Sequence, residues 1–316
     1  MEGSLPHRAG ARRRMLAAAA LGRDPGPAPR SPEEEAPFDV VDGEVIDVSP
    51  HLIIVEADDG RQRRLVIAPW ATAWRGGAVA PADLPIGSRV VIRALRSGTV
   101  AERIWADVTR ITGVIRDVRG TRDLTVDLDC GPHRRERSIV IPYRSSGRIR
   151  VRHPKLEPGY LFDAIGLLDQ GTSLAQLPAT SQPPYHASAS PPAPPAYGGV
   201  QASVAGTAVW ADLPEDGAAY PVLESEDTGC DDAGVSCAGL PYLALGSLLR
   251  VRNVCDGRAD TLPIVACGCL AGRFCDRCLE CGTSPRGRLV ELSASSYVAL
   301  GGDLTKGCFN ARVGLG

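Results

Sequence analysis

Between residues 40 and 170 one order of short strands is written twice. From Val40, brief apolar alternations run "GEVIDV", "HLIIVEA", "RRLVIAPW" and "LPIGSRVVIRAL", each separated by Gly, Asp, Pro or Ser. That is the pattern of half-buried strands joined by turns. About seventy residues later "TGVIRDV", "DLTVDLD", "RSIVIPY" and "LEPGYLFDAIGLL" follow one another in the same order. Gly43 matches Gly113, Val66-Ile67 matches Val140-Ile141, and Gly87 matches Gly159. A recurring period of this kind predicts two copies of one supersecondary unit. Two small β-barrels of the OB or SH3-like kind, over residues 39–106 and 107–169, explain it most simply. Glycine (35) and proline (26) are abundant, which suits short strands and turns better than long helices, so the chain is expected to be mainly β.

Such barrels bind oligonucleotides or sugars when aromatics stack over a basic groove, but only Trp70, Trp74, Trp105 and Tyr143 are on hand for stacking. Thirty-five Lys+Arg against thirty-seven Asp+Glu leave a net charge of −2, so no nucleic-acid partner is expected. The tandem barrels therefore read as structural or adaptor units. No apolar run reaches the ~18–20 residues of a membrane-spanning helix, and no transmembrane segment is expected.

The flanks differ in character. Residues 1–38 contain "RAGARRRMLAAAALG", with Arg12, Arg13 and Arg14 ahead of a short apolar run. This is the outline of a secretory or twin-arginine export signal, or else a disordered Ala/Arg-rich tail. Residues 170–203 are rich in Pro, Ala and Ser and nearly free of charge. They read as a semi-rigid spacer between separately folded units.

Residues 204–316 carry a third pattern: "GTAVW", then "LPYLALGSLLRVRN", "DGRADTLPIVACGC", "RGRLVELSASSYVALGG" and "GCFNARV". In "SLLRVRN" the apolar Leu248, Leu249 and Val251 alternate with Arg250 and Arg252, as in a strand with one buried face. Asp256-Gly257 marks a tight turn, and Ser293 is placed to cap a short helix. The succession resembles the double-psi β-barrel of rare lipoprotein A and the expansins, over about a third of the chain. The resemblance implies a wall-polysaccharide or peptidoglycan ligand, a cell-envelope or extracellular setting, and an acidic groove.

Two family positions carry over. The carboxylate before "LS" is Glu291, whereas the aspartate of the preceding V-x-D-x-C-P family strand is replaced by Cys267 in "IVACGC". Losing one carboxylate of a pair removes the acid/base partnership that glycan hydrolysis needs. The reading is thus a non-catalytic binding protein with Glu291, Asn253, Arg250 and Trp210 as candidate ligand-binding residues. Glu291 is the sole candidate for a catalytic role, and a lytic enzyme of the same barrel family is the alternative. On this reading Glu291 lies exposed beside Cys267 or Ala266, with no second acid in hydrogen-bonding reach. Asp227, Asp231, Asp232, Asp276 and Glu280 are the acids near enough in sequence to substitute.

Nine of the ten cysteines fall in this last region. A disulfide framework of a small exported barrel is one explanation. The rival is a structural zinc held by Cys267, Cys269, Cys275, Cys278 and Cys281, within an intracellular interaction protein of the cytoplasm. No cofactor other than that alternative zinc is expected, and the spacing does not settle oligomeric state or disulfide pairing.

Overall fold

The computed structural model describes residues 38–131, 134–181, 183–189, 203–224, 236–268 and 270–315. The export-signal reading of the N-terminus, much of the Pro/Ala/Ser segment, Asp227, Asp231, Asp232 and Cys269 lie outside the described residues. Three closed β-barrels follow one another, and Phe38 to Gly316 form one compact unit.

The first barrel comprises β1 (Phe38–Val48), β2 (Leu52–Glu56), β3 (Gln62–Trp74), a short β4 (Ala78–Val79), β5 (Arg89–Ala94) and β6 (Val100–Ala106). Leaving aside β4, the ring runs β1-β2-β3-β6-β5 and returns to β1, with β3 and β6 parallel and the other pairs antiparallel. The second barrel comprises β7 (Val108–Arg119), β8 (Leu124–Asp129), β9 (Arg137–Ile141), β10 (Leu161–Asp169) and β11 (Thr172–Pro178). Its ring is β7-β8-β9-β11-β10, again with the third and fifth strands parallel. Helix α1 (Tyr143–Arg152) joins β9 to β10. Both copies thus have the five-stranded Greek-key order of an OB barrel.

The matched residues have matched jobs. A side chain on Gly43 would sit 2.1 Å from Glu56 O, and one on Gly113 would sit 2.8 Å from Leu128 Cβ, so in each copy the first strand crosses the second too closely for any Cβ. Gly87 and Gly159 both turn with positive φ, 86° and 87°, before the fourth strand. Val66 pairs with Val100, and Val140 with Leu174, across the parallel strands.

The third barrel comprises β12 (Ser203–Trp210), β13 (Ala218–Tyr220), β14 (Leu248–Asn253), β15 (Ala259–Cys267), β16 (Arg288–Leu292) and β17 (Cys308–Leu315), with α2 (Ala294–Ala299) after β16. Its ring is β12-β16-β13-β15-β14-β17, with β12/β16 and β13/β15 parallel. The ring order is unchanged when the first three strands are exchanged for the last three. Ser293 caps α2 by accepting from Ser296 N.

Two expectations require correction. The segment from 170 does not begin a spacer, because β11 supplies the strand that closes the second barrel between β9 and β10. Its neutral "TSLAQLP" has little charge contrast, so its alternation is faint. Nor are the barrels independent units. One apolar cluster joins Trp74 and Trp105 of the first barrel, Ile165 and Ala179 of the second, and Trp210, Tyr297 and Phe309 of the third.

Charged groups reinforce that junction. Arg103 pairs with Asp303 at 2.9 Å. Asp163 lies fully buried, accepting from Arg110 Nε at 2.7 Å, Arg110 Nη2 at 2.8 Å and Arg288 Nη2. Arg288 also reaches Asp276 at 3.1 Å. Arg110 and Asp163 belong to the second barrel and Arg288 to the third, so a desolvated ion network crosses between them.

Candidate functional site

The four candidate ligand-binding residues do not form one site. Asn253 is buried and holds the turn after β14, donating to Leu300 O at 2.8 Å and accepting from Cys255 N at 2.9 Å. Trp210 is buried, and its indole N–H donates to Leu304 O at 3.0 Å. Arg250 is exposed on β14. Glu291, expected at the surface, is only 1% exposed, and its Oε2 accepts from Arg134 Nη2 at 2.7 Å. Arg134 belongs to the β8–β9 loop of the second barrel. Nothing in the third barrel's own sequence foretells a lid of that origin. Glu291 in turn holds the Arg134 guanidinium above its ordinary value, against the effect of burial.

The expected neighbours of Glu291 also differ. Ala219 of β13 pairs with Glu291 on one side and with Ala266 on the other, so a whole strand separates "IVACGC" from "ELS". Two strand spacings put those positions roughly 10 Å apart. Asp276 is held by Arg288 rather than by Glu291, and Glu280 is paired with Lys306 at 2.7 Å.

The cysteines form a framework. Cys237 is joined to Cys275, Cys255 to Cys281 and Cys278 to Cys308. These bonds pin the loop 270–284, which has only one 3-10 turn (Ala271–Arg273), to three separate places on the barrel. Cys267 is also disulfide-bonded. Cys267, Cys275, Cys278 and Cys281 are thus not thiolates, the form in which cysteine binds zinc. Among the described residues no group of three or more His, Cys, Asp and Glu is arranged around a metal position. Cys130 is a buried free thiol, pushed up by desolvation. Disulfides point to an oxidising environment. Among the described residues no helix is long and apolar enough to cross a membrane.

A different place gathers polar groups. Where the three barrels meet, a groove of about 500 Å³ is lined by residues of all three, among them Asp42, Asp58, Asp212, Asp216, Ser295 and Leu168. Trp105 and Trp210 lie against it from the shared apolar core. Some of its carboxylates are already neutralised: Asp58 takes both Nη atoms of Arg89, and Asp212 receives Arg137 and the hydroxyl of Thr109. Asp216 accepts from Ser293 Oγ at 2.9 Å and from Ser295. Burial first, then the like charges of Asp216 and Asp58, push the Asp42 carboxyl above its ordinary 3.8.

Sequence reasoning missed this groove because its acids look like turn residues. Asp42-Gly43 and Asp216-Gly217 each have ordinary Asp-Gly turn chemistry. Their convergence depends on how three separately written barrels pack. Compared with models of known protein families and with curated proteins, the chain gives no match.

Proposed function

We propose that this chain is a non-catalytic polysaccharide-binding protein of the cell envelope or extracellular space, with a third barrel of the rare lipoprotein A and expansin kind. The observation that carries the reading is the junction groove. Carboxylates, arginines and serine hydroxyls from all three barrels converge there, a set that matches the hydroxyls of sugars. Three further features support it. The disulfide framework suits an exported domain. The half-for-half exchange of strands in the third barrel, with its two parallel pairs, suits a double-psi barrel. Glu291, the family's acidic position, is shut under Arg134, whereas a general acid must reach the bond it protonates.

The test is incubation with insoluble peptidoglycan and with cellulose. The protein is expected to sediment with at least one of them and to release no new reducing ends. Fragments released by the wild type but not by Glu291→Gln would replace this reading with a lytic enzyme.

A further inference from the structure

Helix α1 of the second barrel presents a second apolar ridge, on the side away from the core. Inward, Ile149 packs in the barrel's apolar cluster and Ser145 Oγ donates to Gln176 Oε1 of β11 at 2.9 Å. At 3.6 residues per turn, Tyr143, Gly147 and Val151 fall together on the opposite side and form an outward crest. Tyr143 is 64% exposed and Val151 70%. Arg144 and Arg148 flank the crest on one side and Arg150 on the other, all three exposed. Arg122, from the turn between β7 and β8, holds its guanidinium carbon 5.8 Å from the centre of the Tyr143 ring.

The fold does not balance these charges. The helix contains no acidic residue, and Arg122, Arg144, Arg148 and Arg150 make no ion pair among the described residues. By contrast, Arg116, Arg119, Arg134 and Arg137 of the same barrel each hold a carboxylate. The nearby Asp123 is engaged by the backbone, accepting from Tyr143 N at 2.7 Å. Arg144 and Arg148 stand four residues apart, as do Arg148 and Arg152, a spacing at which like charges repel. Gly147 adds an observation independent of charge. Glycine within a helix costs stability, yet a Cβ at Gly147 would meet nothing within 4 Å, so no packing inside the protein calls for it. It leaves a notch between Tyr143 and Val151 through which an outside surface can approach the backbone.

We propose that α1 docks the chain on the surface of an anionic phospholipid bilayer, with Tyr143 and Val151 entering the headgroup layer and Arg122, Arg144, Arg148 and Arg150 pairing with lipid phosphates. Guanidiniums around an exposed apolar ridge complement a surface that is anionic outside and apolar just beneath. A soluble polyanion would use the charges and leave the ridge in water. The tyrosine suits the same boundary, with an apolar ring and a polar tip. This goes beyond the polysaccharide reading and does not depend on it, since none of these residues lines the junction groove. The second barrel would face the membrane while the groove stays open to glycan.

The test is co-sedimentation of the whole chain with vesicles of mixed phosphatidylglycerol and phosphatidylcholine and with vesicles of phosphatidylcholine alone, beside calorimetric titration with soluble polyphosphate. The anionic vesicles are expected to bind about a hundredfold more tightly than the neutral ones, the effect of three arginines close to a charged surface. Gly147→Glu puts a carboxylate into open space on the crest and replaces a poor helix former, so it should melt no lower than the wild type and lose most of that preference. Tyr143→Ser/Val151→Ser should weaken vesicle binding about tenfold and leave polyphosphate binding unchanged. Leu168→Trp, in the groove, should bind vesicles as the wild type does, so failure here and failure of the glycan test are separate results. Equal binding to the two kinds of vesicle, or none to either, would overturn the inference. Undiminished vesicle binding by Gly147→Glu would overturn it by placing the lipid contact elsewhere. Undiminished vesicle binding by Tyr143→Ser/Val151→Ser, with polyphosphate bound as tightly as lipid, would overturn it in favour of a soluble polyanion.

Discussion

Asp163→Asn removes the charge shared by two buried guanidiniums, those of Arg110 and Arg288, and its effect follows from the geometry. The carboxylate accepts from Arg110 through two nitrogens, from Arg288, and from Thr112 Oγ1 at 3.2 Å, with neither Asp163 nor Arg288 exposed in its side chain. Burial alone would raise this carboxyl, but Arg110 and Arg288 outweigh it and hold it at about 2, below the ordinary 3.8. That depression corresponds to roughly 2–3 kcal/mol of folding stability. Asparagine keeps the shape but leaves Arg110 without its carboxylate and Arg288 with Asp276 alone in a dry interface, so the loss should be about 3–5 kcal/mol. The assay is urea unfolding under oxidising conditions, followed by tryptophan fluorescence, since Trp105 and Trp210 lie in the same inter-barrel core. The triple variant Arg110→Met/Asp163→Leu/Arg288→Met, which removes these three charges together but leaves the buried Asp276 without its guanidinium, should recover part of the loss. Because the folded carboxyl is depressed, its contribution is full above pH 3.8 and disappears as pH falls through 2. The wild type should therefore lose more stability on acidification than the triple variant. A loss below about 1 kcal/mol for Asp163→Asn would refute the reasoning.

Three more outcomes are expected. Arg134→Ala strips Glu291 of its partner, and because Arg134 is itself part exposed the cost should be about 1–2 kcal/mol in thermal melting, more than for Arg134→Lys, which keeps the charge. Gly113→Ala forces a methyl against Leu128 Cβ and Asp129 O and should cost about 1–3 kcal/mol, with Gly43→Ala worse because its clash is with backbone. Reduction of the disulfides, three of which close separations of 26, 30 and 38 residues, should unfold the third barrel first, each of these three bonds contributing about 3–4 kcal/mol. Near-ultraviolet circular dichroism with and without reductant reads this, and an unchanged spectrum would count against the framework's role.

The barrels were legible because their evidence is local. Alternating strands, the Gly43/Gly113 and Gly87/Gly159 pairs and the Ser293 cap each act over a few residues, and each has in the structure the job its chemistry suggests. What the sequence hid is how the barrels meet. β11 escaped notice because an uncharged strand looks like the uncharged segment that follows it. Glu291 looked like a groove carboxylate because its cover, Arg134, is 157 residues away. Asn253 and Trp210 were polar or aromatic at motif positions, but their hydrogen bonds go to Leu300 O and Leu304 O, carbonyls that only the folded barrel brings near. The groove itself needs Asp42 and Asp216 from different barrels, and no spacing rule links those.

The central claim is that a polysaccharide binds in the junction groove and is not cleaved there. Leu168, 43% exposed, stands on the groove wall, so Leu168→Trp fills the space without disturbing a core. The most direct measurement is sedimentation of the wild type and of Leu168→Trp with insoluble peptidoglycan and cellulose, with reducing ends counted in each supernatant. The account predicts that the wild type is carried down, that Leu168→Trp stays in solution at an unchanged melting temperature, and that neither releases reducing ends. Equal retention of both proteins, no retention of the wild type, or release of glycan fragments would contradict it.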